Sequence, residues 1–304
     1  MQSSSARKGI LYGIGAYVLW GFFPIYWKFL HEVSALQVIG HRIGWSFILL
    51  LLYILFTKQW DAFSSTAFKW RTVGIYSIAA VLLTFNWLIY VWGVNAGFIV
   101  ETSLGYFINP LLSVSLGVLF LRERLRPLQW IPIGLAAIGV GYLTFVYGHL
   151  PWIALSLAFT FGFYGFVKKL SPLGSLYGLT LETGIVFPVA LIYILIVGFN
   201  GSGAFLHQGS MIDLILIGAG LVTTVPLLMF ASSAKQIPLT IVGLLQYIAP
   251  TLQFLIGVFV YKEPFDLAHF IGFAIVWVAL IIFAVESYLA NRAPAQPIPE
   301  LGEG

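Results

Sequence analysis

Ten apolar stretches, each close to the length of a bilayer-crossing helix, occupy nearly the whole of this chain. They run over 9–28, 35–56, 72–93, 98–120, 128–147, 151–167, 176–198, 211–231, 238–260 and 267–287. A spanning helix takes about 17–25 largely apolar residues to cross a hydrocarbon layer of about 30 Å. The sixth stretch is short and rich in glycine, which leaves counts of eight or nine open. Composition excludes the soluble alternative. Sixty per cent of the residues are hydrophobic and 9% are charged, whereas a soluble domain carries about 25% charged residues. A chain of 304 residues must still present much of its surface to solvent, so that solvent is lipid. The sequence therefore predicts an all-α integral membrane protein with ten transmembrane helices. Arg7 and Lys8 followed by an apolar run superficially resemble a signal peptide. That run continues through Trp20, Phe22 and Phe23 without a small-residue cleavage site, and reads as a retained first span. The segment 289–304, with Pro294, Pro297 and Pro299, reads as a disordered tail.

The basic residues orient the spans. When the loops are assigned alternately to the two sides, twelve fall on one side: Arg7, Lys8, Lys58, Lys69, Arg71, Arg122, Arg124, Arg126, Lys168, Lys169, Lys235 and Arg292. Lys28 and Lys262 fall on the other, and Arg42 lies inside a span. The cytoplasmic side of a membrane protein collects Lys and Arg in its short loops, so both termini are expected in the cytoplasm. Adding or removing one early helix would scramble the partition.

Several chemistries have no residues to support them. There is no cysteine for a disulfide or thiol nucleophile, and the five histidines have no metal-ligand spacing. No phosphate loop, nucleophile elbow or hydrolytic acidic pair is present. The basic residues form no single patch that would bind nucleic acid. No enzyme, metal or cofactor is expected, and transport would draw on an ion or cargo gradient.

The chain also resembles itself. A shift of 140 residues places Pro110 on Pro250, Gly117 on Gly257 and Arg122–Glu123 on Lys262–Glu263. A shift of 141 places Gly21-Phe22-Phe23 on Gly162-Phe163-Tyr164 and Lys28 on Lys169. Five helices, 1–147, are expected to be followed by five more, 148–288. Because five is odd, the second set enters the membrane from the opposite side. Inverted repeats of this kind characterise secondary transporters, whose substrate sites lie between the halves near the bilayer midplane.

Polar residues within the spans carry the functional expectations, because a charge at mid-bilayer costs about 2.5–3.5 kcal/mol on insertion scales. Arg42 in the second span and Glu182 in the seventh occupy equivalent positions under the shift. Either lines a cavity or gates it, or else anchors an interface or a structural ion pair. Glu182 and Glu101 are the candidates for ion coupling, although the positive end of the fourth helix explains Glu101 equally well as a cap. Tyr106 and Asn109, with Gln246 and Tyr247 in the repeat, are expected to line a pathway beside bends at Pro110 and Pro250. Ordinary helix packing with polar contacts is the alternative. Trp20 and Trp87 lie deep enough to meet a planar or amphipathic cargo, with Asn86 beside Trp87 as a further cavity candidate, whereas Trp27, Trp60 and Trp70 suit an interfacial aromatic belt.

The segments Gly21-Phe22-Phe23-Pro24-Ile25-Tyr26-Trp27-Lys28, His41-Arg42, Asn86-Trp87 and Gly105-Tyr106-Phe107-Ile108-Asn109-Pro110-Leu111 resemble the RarD proteins. These are bacterial permeases of the EamA group in the drug/metabolite transporter superfamily, and the resemblance covers roughly 8–288. It implies a multi-pass inner-membrane transporter, monomeric or homodimeric, with two EamA repeats around a central cavity. RarD proteins are described as chloramphenicol-sensitivity proteins, and relatives export amino acids or other metabolites. The implied activity is export of a small amphipathic metabolite, amino acid or drug by alternating access; proton coupling is an expectation that rests on Glu101 and Glu182 and not on the resemblance. Import of the same class, or a non-transporting structural or regulatory subunit, are the alternatives. The second half departs from the first at Ala249, where Asn109 stands, and at Glu182, where Arg42 stands.

Overall fold

The structure, a computed structural model, describes residues 2–96, 98–147, 152–262 and 267–292. Every regular element among them is helical. In chain order they are α1 (Gln2–Gly21), α2 (Phe23–Lys28), α3 (Ala35–Phe56), α4 (Trp60–Ala67), α5 (Trp70–Asn95), α6 (Ile99–Leu119) and α7 (Trp130–Tyr147). There follow α8 (Trp152–Leu170), α9 (Ser175–Phe199), α10 (Ser210–Gln236), α11 (Leu239–Leu245), α12 (Ile248–Leu255) and α13 (Leu267–Arg292).

Seven stretches among the described residues are long and apolar enough to cross a membrane. They are Ser5–Lys28, Ala35–Phe56, Trp70–Tyr90, Trp152–Leu170, Ser175–Phe199, Ser210–Gln236 and Leu239–Val260. Two further apolar helices, Gly105–Leu119 and Phe270–Phe283, are shorter. Large apolar side chains cover the outside: Phe56, Phe145 and Phe199 are each more than four-fifths exposed. Water would penalise such a surface and hydrocarbon does not. The chain is an all-α integral membrane protein.

The helices pair in a regular pattern. α1 packs on α10 as α8 packs on α5; α6 packs on α8 as α12 packs on α1. Three pairs, α3 with α9, α6 with α11 and α7 with α13, bring early helices against late ones. The α6–α11 crossing is close: a β-carbon on Gly243 would stand 2.7 Å from the Pro110 carbonyl oxygen, which leaves glycine as the residue that fits. Arg122 and Lys262, one after each end of the paired segments, both adopt left-handed backbone with φ of 55° and 56°. That conformation ends a helix and is uncommon for residues other than glycine.

Two expected spans are interrupted. The first breaks at Phe22, and Pro24 lies in the opening turn of α2, where its missing N–H removes no intrahelical bond. The ninth breaks at Gln246–Tyr247, between α11 and α12. Pro250 has no N–H to offer the Gln246 carbonyl, which instead accepts from Ala249 N at 3.3 Å. Pro110, by contrast, sits inside an α6 that continues through it. The loop after the second span also holds a helix, α4, missed because it is short. Phe63 anchors it against Tyr177, with ring centroids 5.6 Å apart, while Trp60, Phe68 and Trp70 stay exposed at the protein margin.

Candidate functional site

A cavity of about 200 Å³ lies where α1, α2, α3, α5, α6, α8 and the α11–α12 break approach one another. Its wall is rich in aromatic rings, with Tyr17, Trp20, Phe23, Trp27, Trp87, Tyr90, Tyr106 and Phe161 contributing. Among the described residues, Arg42 is the sole charged one lining it. The α3 helix carries this guanidinium into the protein, leaving Arg42 only 9% exposed. Its Nε donates to Thr223 Oγ1 on α10 at 2.9 Å. The charged carbon lies 4.4 Å from the Trp87 ring centroid and 4.7 Å from that of Trp27, with Phe23 at 5.9 Å. Ring faces are negative and attract such a cation. Among the described residues Arg42 has no carboxylate within salt-bridge distance.

The remaining polar lining is neutral. Asn86 is committed, since its Nδ2 donates to the Leu157 carbonyl and to Thr160 Oγ1, both at 2.9 Å. Gln246 accepts from Ser113 Oγ at 3.2 Å. The Tyr17 hydroxyl faces Gln246 without reaching hydrogen-bond geometry, and Asn109 Oδ1 is buried with no partner. Gln253 donates to the Trp20 carbonyl at 3.0 Å and so ties α12 to the end of α1. Buried polar atoms are nearly always hydrogen-bonded, so the sealed and unpartnered Asn109 oxygen is an exception in this wall.

A second polar cluster lies towards the other end of the bundle, among α8, α9 and α10. Lys168 Nζ meets Glu182 Oε1 at 2.6 Å, and these side chains are 0% and 2% exposed. Tyr164 donates to Glu182 Oε2 at 3.2 Å. Around this pair the turns are tied together: Lys235 donates to the Ser171 carbonyl and Lys169 to that of Ile237. Glu123 arrives from the segment after α6 and caps α11, accepting from Leu239 N at 2.7 Å and Thr240 N at 3.0 Å. A carboxylate satisfies the free donors at a helix start and its positive end.

The profile of the EamA-like transporter family matches residues 7–145. The uncharacterized transporter YojE of Bacillus subtilis (strain 168) is 44% identical over 96% of this chain and 99% of its own. The protein RarD of Streptomyces exfoliatus is 42% identical over 94% of this chain and 91% of its own. The chain belongs to the EamA-like transporter family, on its RarD-like branch. A solved crystal structure shares the fold with a TM-score of 0.66 at 17% identity, over 93% of this chain and 99% of that one. As a member of that family the chain is a multi-pass bacterial membrane protein. It is a secondary transporter of small molecules and not an enzyme.

In this EamA-like transporter the structure gathers Trp20, Arg42, Asn86, Trp87, Tyr106, Asn109, Gln246 and Pro250 around one cavity. Three other residues singled out by the sequence lie elsewhere. Tyr247, expected beside Gln246, turns into the core and donates to the Phe107 carbonyl at 3.3 Å. The helix break sends the two neighbours to different faces. Pro110 packs behind the site at the α11 crossing. Glu182 is held in the ion pair with Lys168. The Glu101 side chain lies outside the described residues, as does Glu263. Trp27, expected in the interfacial belt, lines the cavity. Lys168, counted among the loop cations, is fully buried. Sequence reasoning missed Gln253, for which no local signal exists. It also left Phe23 and Pro24 unassigned, although both lie in the aromatic segment ending at Lys28.

Proposed function

We propose that this chain exports a small amphipathic molecule by alternating access, using two inverted five-helix repeats, 1–147 and 148–288. Ten spans with both termini in the cytoplasm complete that reading, in which α6 and α13 count as spans and α11 with α12 as one. The observation that carries it is the cavity itself, built from first-half and second-half helices and faced by a buried cation. The reciprocal helix pairing and the matching left-handed residues Arg122 and Lys262 support the repeat.

In this reading the structure has its substrate site on the Arg42 side, while Lys168, Glu182 and the ties around them close the cytoplasmic end. Parting that pair opens the other side. Glu182 then acts as a gate residue, and Glu101 is the remaining candidate for proton coupling. Trp20, Trp87 and Tyr106 hold the body of the cargo, and Asn109 and Gln246 bond its polar groups.

Transport by the reconstituted protein tests this reading. Proteoliposomes are offered amino acids, related metabolites and chloramphenicol, with and without a proton gradient. We expect saturable movement of at least one compound, driven by the gradient. Movement of none removes the cargo class, and movement indifferent to the gradient removes the coupling.

A further inference from the structure

We infer that the cargo is a singly charged organic carboxylate with a flat apolar body, and that Arg42 is the residue that recognises its charge. The inference rests on the transport reading of the cavity and adds the chemical class of what enters it.

A guanidinium carries five N–H donors and cannot be deprotonated to escape burial. Arg42 spends Nε on Thr223. Its other donors have no partner among the described residues, and none of its terminal nitrogens is sealed off inside protein. They therefore face the cavity. The nearby rings of Trp27 and Trp87 moderate the charge without neutralising it, since an aromatic quadrupole carries no net charge. A buried ion normally has an opposite charge beside it. The group still wanted is an anion, and a carboxylate matches the guanidinium fork with two parallel hydrogen bonds.

The same inventory excludes other charge types. A cationic cargo would sit near Arg42 in a medium where like charges repel strongly. A zwitterion would need an acceptor for its ammonium, yet among the described residues no carboxylate lines the cavity. A neutral cargo would exclude water from the cation and leave it uncompensated. The aromatic wall argues against inorganic anions, which prefer water or a polar nest to indole and phenyl faces. A volume of about 200 Å³ limits the body to one or two fused rings.

Indole-3-acetate serves as the probe, with indole-3-acetamide, tryptamine and tryptophan as comparators that share its ring and differ in charge. Binding of labelled indole-3-acetate to the purified full-length chain is measured in competition with each, and with inorganic phosphate. We expect the acid to bind at least tenfold more tightly than the amide, and tryptamine and tryptophan to compete no better than the amide. Arg42→Gln should bring acid and amide to within about twofold of each other, while Arg42→Lys keeps part of the preference. If Arg42→Gln fails to fold, the acid-over-amide ratio of the native chain and of Arg42→Lys decides the matter.

Equal competition by acid and amide, absent binding of the acid, or an acid preference that survives Arg42→Gln overturns the inference. Phosphate displacing the probe as well as the acid does overturns the aromatic half of it. Transport separates the two readings. Selective acid binding without uptake or counterflow sinks the transport reading alone. Counterflow of neutral or cationic compounds without any acid preference sinks this inference alone.

Discussion

Arg42 and Glu182 stand at equivalent places under the proposed repeat, 140 residues apart in sequence, and neighbours of each correspond as well. Phe23 and Trp27, whose rings lie against Arg42, map under the 141-residue shift onto Tyr164 and Lys168, which hold Glu182. In one half the charge is left among aromatic rings and faces a cavity. In the other, a lysine and a tyrosine hydroxyl consume the charge. In the repeat proposed above, one copy of the framework is dressed to receive something and the other to stay shut. The difference follows from neutralisation. An unpaired buried cation invites a ligand, whereas a lysine–glutamate pair at 2.6 Å has already met its demand.

The sharpest way to break that contrast is to remove one partner from the closed cluster. Lys168→Met leaves Glu182 buried without a cation and is expected to cost about 3–5 kcal/mol. Adding Glu182→Gln should restore most of the loss, and thermal unfolding in detergent reads both. If the double variant were as damaged as the single one, the pair would not be acting as a pair.

Arg42→Met should behave in the opposite manner. It leaves no orphaned carboxylate, so stability should change by about 1 kcal/mol or less while transport falls to background. Unfolding and uptake measured on the same preparation check this. A large loss of stability would make Arg42 a structural group like Glu182 and erase the contrast.

A smaller effect is expected from Glu123→Gln, which weakens the cap on α11 at the closed end. A loss of about 1 kcal/mol is expected, in keeping with other N-terminal caps and charge–dipole contacts. Hydrogen exchange at Leu239 and Thr240 should rise locally. Tyr247→Phe removes one hydroxyl bond to Phe107 and should cost about 0.5–1.5 kcal/mol. Its substrate affinity should stay unchanged, which distinguishes its core position from the cavity position of its neighbour Gln246.

How much of this could be read from the residues depends on which physical rule governed each one. Arg42 was legible because a charge inside an apolar run is costly wherever the helix turns. Trp20, Asn86, Trp87, Tyr106, Asn109 and Gln246 were legible through depth and through the repeat. Tyr247 was not, because a helical face projects forward only while the helix is unbroken, and Pro250 breaks it there. Lys168 sits beside Lys169 at the end of a span, where hydropathy assigns both to the loop. Only the side-chain contacts from α8 to Glu182 on α9 show that one of them is buried there. The caps supplied by Glu123 and the tie from Gln253 depend on contacts across more than a hundred residues, which no local pattern encodes. The helix breaks were half legible: the prolines marked them, but whether a helix bends or stops is decided by its neighbours.

The absence of cysteine from the chain makes single-cysteine labelling the most direct test of the two-ended account. Ala249→Cys places a thiol in the wall of the cavity, and Ser233→Cys places one in the buried α1–α10 packing near the closed end. With a membrane-impermeant maleimide, the account predicts that Ala249→Cys reacts from the outside and Ser233→Cys from neither side. In a Lys168→Met, Glu182→Gln background, Ser233→Cys should become reactive from the cytoplasmic side while Ala249→Cys loses reactivity. Identical labelling in both backgrounds would contradict the claim that the Lys168–Glu182 pair closes one end while the Arg42 cavity serves the other.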